Sequence, residues 1–176
     1  QFVPTNFIMG FYDGYKLLDT ARANVTFGNG VNAPKNQLGN QENPPVGLAP
    51  STWTLRPLKD AISSTNYRGI GVLKGPAAGQ PLMLAAEAQL LAAEAAVKGI
   101  ITADATLHFE NGIKASYLYL NKGETDLVVG TANAVALLTS NQSDNPISYL
   151  GNFSLVLNNK EKMEAIITQK YIPMNF

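Results

Sequence analysis

The chain has no cysteine, a single histidine and no excess of charge of either sign. The absence of cysteine excludes disulfides, thiolate metal sites and thiol nucleophiles within these 176 residues. The 13 basic and 13 acidic side chains cancel, whereas a nucleic-acid-binding protein needs a positive face, so no nucleic-acid partner is expected. Neutral polar residues are abundant instead. Their hydroxyl and amide groups both donate and accept hydrogen bonds, which suits sugars as well as ordinary loops.

Residues that would carry catalysis or hold a cofactor are also scarce. His108 has no second histidine and no cysteine with which to share a transition metal, and no G-x-S-x-G sequence supplies a serine nucleophile. The glycine-rich run "GIGVLKGPAAG" matches neither the G-x-x-x-x-G-K-[ST] nor the G-x-G-x-x-G phosphate-binding pattern. We therefore expect no metal site and no cofactor.

The distribution of glycine and proline divides the chain near residue 80. Residues 1–80 are rich in both, which predicts loops, short strands and, in "YKLLDTARAN", a short helix. Residues 81–176 have helical patterns instead. We expect a single domain over residues 1–176, or a fragment of a larger fold, because the chain starts without methionine and ends within an apolar helical pattern.

Two helices are predicted in succession after Pro81. The first ends at Gly99, and its spacing places one apolar face on Leu82, Ala86, Leu90, Ala93 and Val97. Thr102 is the predicted N-cap of the second, with Asp104 in its first turn. The apolar face of this second helix comprises Ala105, Phe109, Ile113, Ser116, Tyr117 and Leu120.

A third helix is predicted near the end of the chain. Asn158 and Glu161 have the spacing of a capping box, and Pro173 is expected to kink or end the helix. Its predicted apolar stripe is Met163, Ile166, Ile167, the Lys170 stem, Tyr171 and Met174. The preceding run "LVVGTANAVALL" fits either a strand or a helix.

Glu87 and Glu94 limit what the first of these helices can be. They interrupt its apolar run, whereas a membrane span needs about 20 mostly uncharged residues. Seven residues of helix place the two carboxylates roughly 10 Å apart, beyond the usual spacing of glycosidase acid pairs. Glu94 also precedes Lys98 by one helical turn, a common surface pair. We therefore prefer a structural role for both to a catalytic one.

The first two helices and the "GIIT" turn between them make an αα-hairpin. Ala93, Ala105, Phe109 and Gly112 lie at the offsets of small and aromatic residues in tetratricopeptide repeats, although other signature positions differ. One such pair cannot bury both faces alone, so neighbouring helices are expected. The predicted fold is mainly α, with tetratricopeptide-like helix pairs in an αα superhelix, long irregular loops and few short strands.

Three motifs in order give the chain a specific resemblance. They are Ala86-Glu87 with Leu91 and Ala93-Glu94-Ala95, then Gly112-Ile113-Lys114-Ala115-Ser116, then Ile167 with Gln169-Lys170-Tyr171-Ile172. Over residues 81–121 and 159–176 the chain resembles the SusD/RagB family of nutrient-binding outer-membrane lipoproteins.

The resemblance implies a non-catalytic protein that captures oligosaccharides at the cell surface for import by a TonB-dependent, SusC-like porin. It also implies attachment to the outer membrane through a lipid on an N-terminal cysteine. This chain lacks that cysteine and is shorter than family members, so we expect it to be a C-terminal part of the lipoprotein. Ligand residues of the family form no motif, and none is transferred to this chain.

Aromatic residues with neutral polar neighbours are the candidate ligand-binding residues. Sugars combine apolar C–H faces with hydroxyl edges, which such surroundings match. The alternative is that these aromatics pin loops onto the helices. The candidates are Trp53, Asn66, Tyr67, Arg68, Tyr12 and Tyr15.

Two other functions fit parts of the sequence. A helical-repeat scaffold for protein–protein interaction would need only the αα-hairpin. A hydrolase fragment would need Glu87 and Glu94 as its acids, and it fits least well.

Overall fold

The computed structural model of the protein describes residues 5–26, 81–121, 132, 134, 136–137 and 148–174. The chain divides into two compact units. The N-terminal unit is Gln1–Ala78 with Leu120–Gly123, and the helical unit is Gly79–Tyr119 with Glu124–Phe176.

Helices dominate the described residues, as the mainly-α prediction requires. The α-helices are α1 (Asn6–Met9), α2 (Thr20–Thr26), α3 (Ala85–Val97), α4 (Ala105–Leu120) and α5 (Asn159–Met174), and two 3-10 turns cover Ser148–Leu150 and Phe153–Leu155. In the run that fitted either a strand or a helix, the described positions 132, 134, 136 and 137 are helical. No strand lies within the described ranges, where Thr5 alone forms an isolated bridge.

The described part of the N-terminal unit folds back on itself after α1. Gly14 has a φ of +97°, a left-handed conformation that glycine adopts without strain. On either side of it, the carbonyl of Gly10 accepts hydrogen bonds from the amides of Lys16 (2.7 Å) and Leu17 (3.2 Å). The reversal brings Met9, Tyr12 and Leu17 into the core, where all three side chains are buried.

Asp19 sets the start of α2. One oxygen of its carboxylate accepts a hydrogen bond from the amide of Arg22 at 3.1 Å, the N-cap contact that Asp commonly makes. The other oxygen pairs with Nε of Arg22, and both side chains are fully buried. The predicted short helix therefore exists, but only from Thr20 onward, because residues 10–19 form the reversal.

Helix α3 buries the centre of its predicted face. Ala86, Leu90 and Ala93 are buried, whereas Leu82 precedes the helix and is 99% exposed. Gly99 has a φ of +70°, and the amides of Gly99 and Ile100 donate to the carbonyls of Ala96 and Ala95. This is a Schellman motif, and it confirms the helix end predicted at Gly99.

The N-cap of α4 is Asp104, so the prediction of Thr102 was wrong. Asp104 Oδ1 accepts hydrogen bonds from the amides of Thr106 (2.9 Å) and Leu107 (3.3 Å). These are the second and third residues of the helix, the positions that a capping side chain reaches. The carboxylate also lies at the positive end of the helix dipole, which a threonine hydroxyl would not neutralise.

Helices α3 and α4 pack as the predicted αα-hairpin. A Cβ added at Gly112 would lie 2.6 Å from Cγ of Leu90, so the missing side chain makes room for the leucine. One turn earlier on α4, His108 Nδ1 is 2.7 Å from Gln89 Oε1. Phe109, Ile113, Ser116 and Tyr117 are buried, as their predicted helix face requires.

Helix α5 begins with the predicted capping box in a modified form. Asn158 Oδ1 accepts a hydrogen bond from the amide of Glu161 at 3.0 Å. Glu161 reaches back one residue further than usual, to the amide of Leu157 at 2.7 Å. The helix continues through Pro173 to Met174, so the proline falls in its last turn.

The buried face of α5 differs from the predicted stripe. Ile167, Tyr171 and Met174 are exposed, and the buried face is Ala165, Ile166, Gln169, Ile172 and Pro173. The reason is Gln169, whose Nε2 donates a buried hydrogen bond of 2.7 Å to the carbonyl of Leu150. A polar side chain that satisfies its own hydrogen bond can occupy the core, and hydrophobic spacing does not reveal it.

Helix α5 packs against α3 and the first 3-10 turn. Beside them, the rings of Phe109 and Phe153 stack with centroids 4.5 Å apart. Tyr149 donates a hydrogen bond of 2.8 Å to Glu164 Oε2. Burial of the Tyr149 hydroxyl, and to a lesser extent its hydrogen bond to Glu164, raise the pKa of Tyr149 to about 12. The hydroxyl therefore stays protonated at neutral pH and remains a hydrogen-bond donor.

We expect Gly112→Ala to destabilise the protein by about 1–3 kcal/mol, because the new methyl would overlap the Leu90 side chain. In a helix with free space at this position, the same substitution stabilises the helix by about 1 kcal/mol. The sign of the change in unfolding free energy therefore already distinguishes the two situations. Urea unfolding monitored by circular dichroism measures the difference.

The control for this substitution is the Leu90→Ala background. Removing the leucine costs stability itself, but it removes the overlap, so adding Gly112→Ala should then cost nothing further. An equal cost of Gly112→Ala in both backgrounds would contradict the close approach of α3 and α4.

Candidate functional site

The predicted ligand-binding residues fall into three groups. Trp53 and the Asn66–Arg68 segment lie outside the described residues. Tyr12 is only 2% exposed, which fits the alternative role of pinning a loop. Tyr15 is 80% exposed and offers its ring to solvent.

Tyr15 borders a cavity of about 380 Å³ in the N-terminal unit. We call it the Tyr15 cavity. Among the residues that the structure describes, those that line it are Asn6, Phe7, Asp13, Tyr15 and Lys16. Sequence reasoning identified only Tyr15 among these five. The other four lie in two short runs, "NF" and "DGYK", which bring aromatic, amide and charged groups together and could have indicated a binding site.

The chain reversal assembles this cavity from residues on both sides of Gly14. Asp13 Oδ1 accepts a hydrogen bond of 3.1 Å from the amide of Tyr15, an Asx turn that orients both side chains. The contacts of the Lys16 and Leu17 amides with the Gly10 carbonyl then hold the loop against the end of α1. Because the Lys16 and Leu17 contacts are made by the backbone, they do not depend directly on the lining side chains.

Lys16 lies over aromatic rings at one side of the cavity. Its Nζ is 3.8 Å from the ring centroid of Phe7 and 4.9 Å from that of Phe11. The two rings meet edge to face, with centroids 5.3 Å apart. A cation over such faces is attracted by the ring quadrupoles, which holds the ammonium at the cavity and covers one face of Phe7.

The cavity therefore combines three kinds of recognition group. Tyr15 presents an exposed aromatic ring, Asp13 supplies acceptor oxygens and Lys16 supplies donor protons. The side-chain amide of Asn6 can both donate and accept. Such a set matches a small polar ligand that also has an apolar face.

Of the two glutamates of α3, Glu94 is held by ion pairs to two lysines. Glu94 binds Lys98 through Oε1 at 2.6 Å and Lys170 through Oε2 at 2.8 Å. The hydrogen bond from Lys170, and next that from Lys98, lower the pKa of Glu94 from 4.5 to about 2. A carboxyl that is ionised at neutral pH has no proton to donate, so Glu94 does not fit the acid of a glycosidase.

Within the described residues, no group of three or more His, Cys, Asp or Glu side chains is placed to hold a metal ion. Among the described helices, none is both long enough and apolar enough to cross a membrane.

Comparison with known families decides the class of the protein. The family model SusD-like, described as starch-binding and associating with the outer membrane, matches residues 13–176. The chain belongs to the SusD-like family. This confirms the resemblance carried by the three motifs and places the protein at the outer membrane. No curated protein and no solved structure matches the chain.

In this SusD-like chain, the motifs that carried the resemblance meet in the helical unit. Glu94 of the first motif forms the ion pair with Lys170 of the third. Gly112 of the second receives the side chain of Leu90, which lies within the first motif's helix. The motifs are therefore packing determinants, and the Tyr15 cavity lies outside all three.

We expect Glu94→Gln to lower stability by about 1–2 kcal/mol at neutral pH, because it removes a partly exposed charge bound by two lysines. The folded-state pKa of Glu94 is depressed, so its contribution is complete above pH 4.5 and is lost as the pH falls towards 2. The wild type and the variant should therefore converge over this window in urea unfolding.

Glu110→Gln is the matched control. Glu110 also pairs with a lysine one turn later, Lys114, but at 3.5 Å and with both side chains about one-third exposed. Its removal should change stability by less than about 0.5 kcal/mol at every pH. If the stability lost in the Glu94 variant depended on pH no more than that lost in this control, the ion pairs of Glu94 with Lys98 and Lys170 would be contradicted.

Proposed function

We propose that this SusD-like protein is a non-catalytic, cell-surface binding protein that captures oligosaccharides for import by a TonB-dependent, SusC-like porin. The observation that carries the proposal is the family match over residues 13–176, with its description as starch-binding and outer-membrane-associated. Attachment to the membrane is by a lipid on the parent protein's N-terminal cysteine.

The described structure supports a binding role at two places. The Tyr15 cavity offers an aromatic ring beside hydrogen-bonding groups, which is the surface that a sugar needs. In the helical unit, the α3–α4 turn exposes Ile100 (71%) together with Ile101 and Leu107. Neighbouring exposed apolar side chains of this kind are typical of surfaces that contact another protein.

A helical-repeat scaffold for soluble protein partners is the second candidate. The αα-hairpin and its exposed apolar turn favour it, because a tetratricopeptide-like pair commonly presents such a surface. The two candidates differ in the partner that they require, so recovery of the native protein distinguishes them.

Isolation of the full-length native protein in mild detergent should recover a TonB-dependent porin with it. Mass spectrometry should also find a lipidated N-terminus, because the proposed function requires attachment beside the porin. A mock isolation from cells without the gene controls for adherent membrane proteins. An unlipidated protein recovered in the soluble fraction with other partners would instead favour the scaffold.

Trp53, Asn66, Tyr67 and Arg68 remain our proposal for a sugar-binding segment. Trp53 is the only tryptophan, so its fluorescence reports on one position. We expect the emission to shift when an oligosaccharide binds, because stacking replaces water around the indole. Trp53→Phe should abolish the signal and weaken binding, whereas Tyr12→Phe, a change at a buried position, should not alter affinity. An unchanged emission under saturating ligand would exclude Trp53 as a contact.

A further inference from the structure

We propose that the turn between α3 and α4 contacts the lipid surface of the outer membrane directly, through two adjacent isoleucines. We call residues 98–107, which include this turn, the hairpin tip. The inference rests on the proposed function, to which it adds a second membrane contact besides the lipid on the parent protein. It depends on the exposure of the hairpin tip, on its composition and on the way its backbone is held.

The apolar side chains of the hairpin tip are open to solvent. Ile100, Ile101 and Leu107 are 71%, 42% and 52% exposed. Every residue from Lys98 to Asp104 is exposed as well, so the two isoleucines lie in the middle of an uncovered stretch. Neighbouring apolar side chains in such a position are typical of surfaces that contact either a protein or a membrane.

The composition of the hairpin tip favours lipid over protein. The five residues between Lys98 and Asp104 are "GIITA", which carry no charge. Protein interfaces are enriched in aromatic residues, methionine and arginine, and residues 98–107 contain none of these. Isoleucine and leucine, in contrast, are among the side chains that enter a bilayer most favourably. The family match supplies the bilayer, because the family is described as associating with the outer membrane.

The backbone of the hairpin tip is prepared for surroundings that are poor in water. The amides of Gly99 and Ile100 donate to carbonyls in the last turn of α3, at 3.0 and 2.9 Å. At the start of α4, the carboxylate of Asp104 accepts hydrogen bonds from two more amides. Unpaired backbone groups are costly in hydrocarbon, and these helix ends have already paired several of theirs within the hairpin.

Two charged groups limit the depth that the hairpin tip can reach. Lys98 pairs with Glu94 at 2.6 Å, and Asp104 is fixed as the N-cap of α4. Charged groups are costly inside a bilayer, so both remain among the lipid headgroups. The isoleucines between them therefore reach the boundary between headgroups and acyl chains, which is the depth at which apolar surfaces of peripheral proteins commonly lie.

A shallow contact of this kind is effective when the protein is already tethered. A small apolar surface binds a membrane weakly, and stable attachment commonly takes two signals. The lipid on the parent protein keeps the hairpin tip near the bilayer, so that its contact becomes an intramolecular step. The two contacts together would orient the helical unit, with the end of α3 that precedes Gly99 towards the membrane.

The test places an environment-sensitive fluorophore beside the isoleucines, on a Thr102→Cys variant of the full-length protein. Thr102 is exposed and is not the N-cap of α4, so its replacement should keep the fold. Residues 1–176 contain no cysteine, and the wild type treated with the same reagent gives the background. The protein is added to phosphatidylcholine vesicles, with or without phosphatidylglycerol, that contain doxyl-labelled lipids as quenchers.

We expect the emission of the Thr102→Cys label to shift to the blue and to be quenched by the doxyl lipids. Both effects should occur in either lipid mixture and at low or high salt, because the contact is apolar. Ala85→Cys carries the control label. Ala85 is the exposed first residue of α3, a helix about 20 Å long, so its label should stay in water at the other end.

Substitution of the isoleucines then tests their role in the labelled protein. Ile100→Ser combined with Ile101→Ser should lower the fraction of inserted label, with a fall in the insertion equilibrium of about tenfold or more. The fold should persist, because both side chains are exposed and the Ile100 hydrogen bond is made by the backbone. Leu82→Ser, the matched control, removes a fully exposed apolar side chain before α3 and should leave insertion unchanged.

The outcomes separate this proposal from the proposed function. A Thr102→Cys label that stays in water would overturn the lipid contact whether or not the porin is recovered in the native isolation. A blue shift without doxyl quenching, seen only with the porin present, would assign the hairpin tip to a protein partner instead. Binding that needs phosphatidylglycerol and is lost at high salt would also overturn the apolar contact. An unlipidated protein without porin, whose label still enters vesicles, would overturn the proposed function and support the lipid contact.

Discussion

The close approach of α3 and α4 at Gly112 is the constraint on which the helical unit depends. Because this position has no side chain, Leu90 enters the space beside α4 and the two helices share one core. Phe109, one turn before Gly112, then lies where its ring can stack on Phe153. The 3-10 turns are in this way joined to the hairpin, and α5 completes the layer by packing on α3 and on the first of these turns.

Helical spacing was sufficient to predict the three long helices of this unit but not every contact between them. The Schellman end at Gly99, the cap at Asn158 and the buried face of α4 follow from local sequence rules, and all are present. The buried face of α5 does not, because Gln169 enters the core through a hydrogen bond to a carbonyl nineteen residues away. A hydrophobic pattern along the sequence does not reveal such tertiary partners. The choice between Thr102 and Asp104 as the N-cap of α4 failed for another reason, because it depended on the residue at which the helix begins.

The candidate site was harder to foresee than the fold. Tyr15 could be chosen from its type and its neighbours, but its partners come from the opposite side of a chain reversal. That reversal depends on one left-handed glycine and on backbone hydrogen bonds to Gly10, neither of which has a strong sequence signature. Tyr12, three residues from Tyr15 and similar in its surroundings along the sequence, is buried instead. Which of the two tyrosines is buried depends on the path of the loop, and the amino-acid composition does not specify that path.

The ion pair between Glu94 and Lys170 joins residues 76 positions apart, whereas the contacts between α3 and α4 span about 20. Closing a longer loop costs more chain entropy, so the hairpin has the kinetic advantage during folding. It can form while the ribosome is still adding the later residues, and α5 then docks onto a surface that already exists. Before α5 docks, Lys98 is the one of its two lysines that Glu94 can pair with inside the hairpin. The ion pair with Lys170 would then form only when the final helix reaches its place on α3.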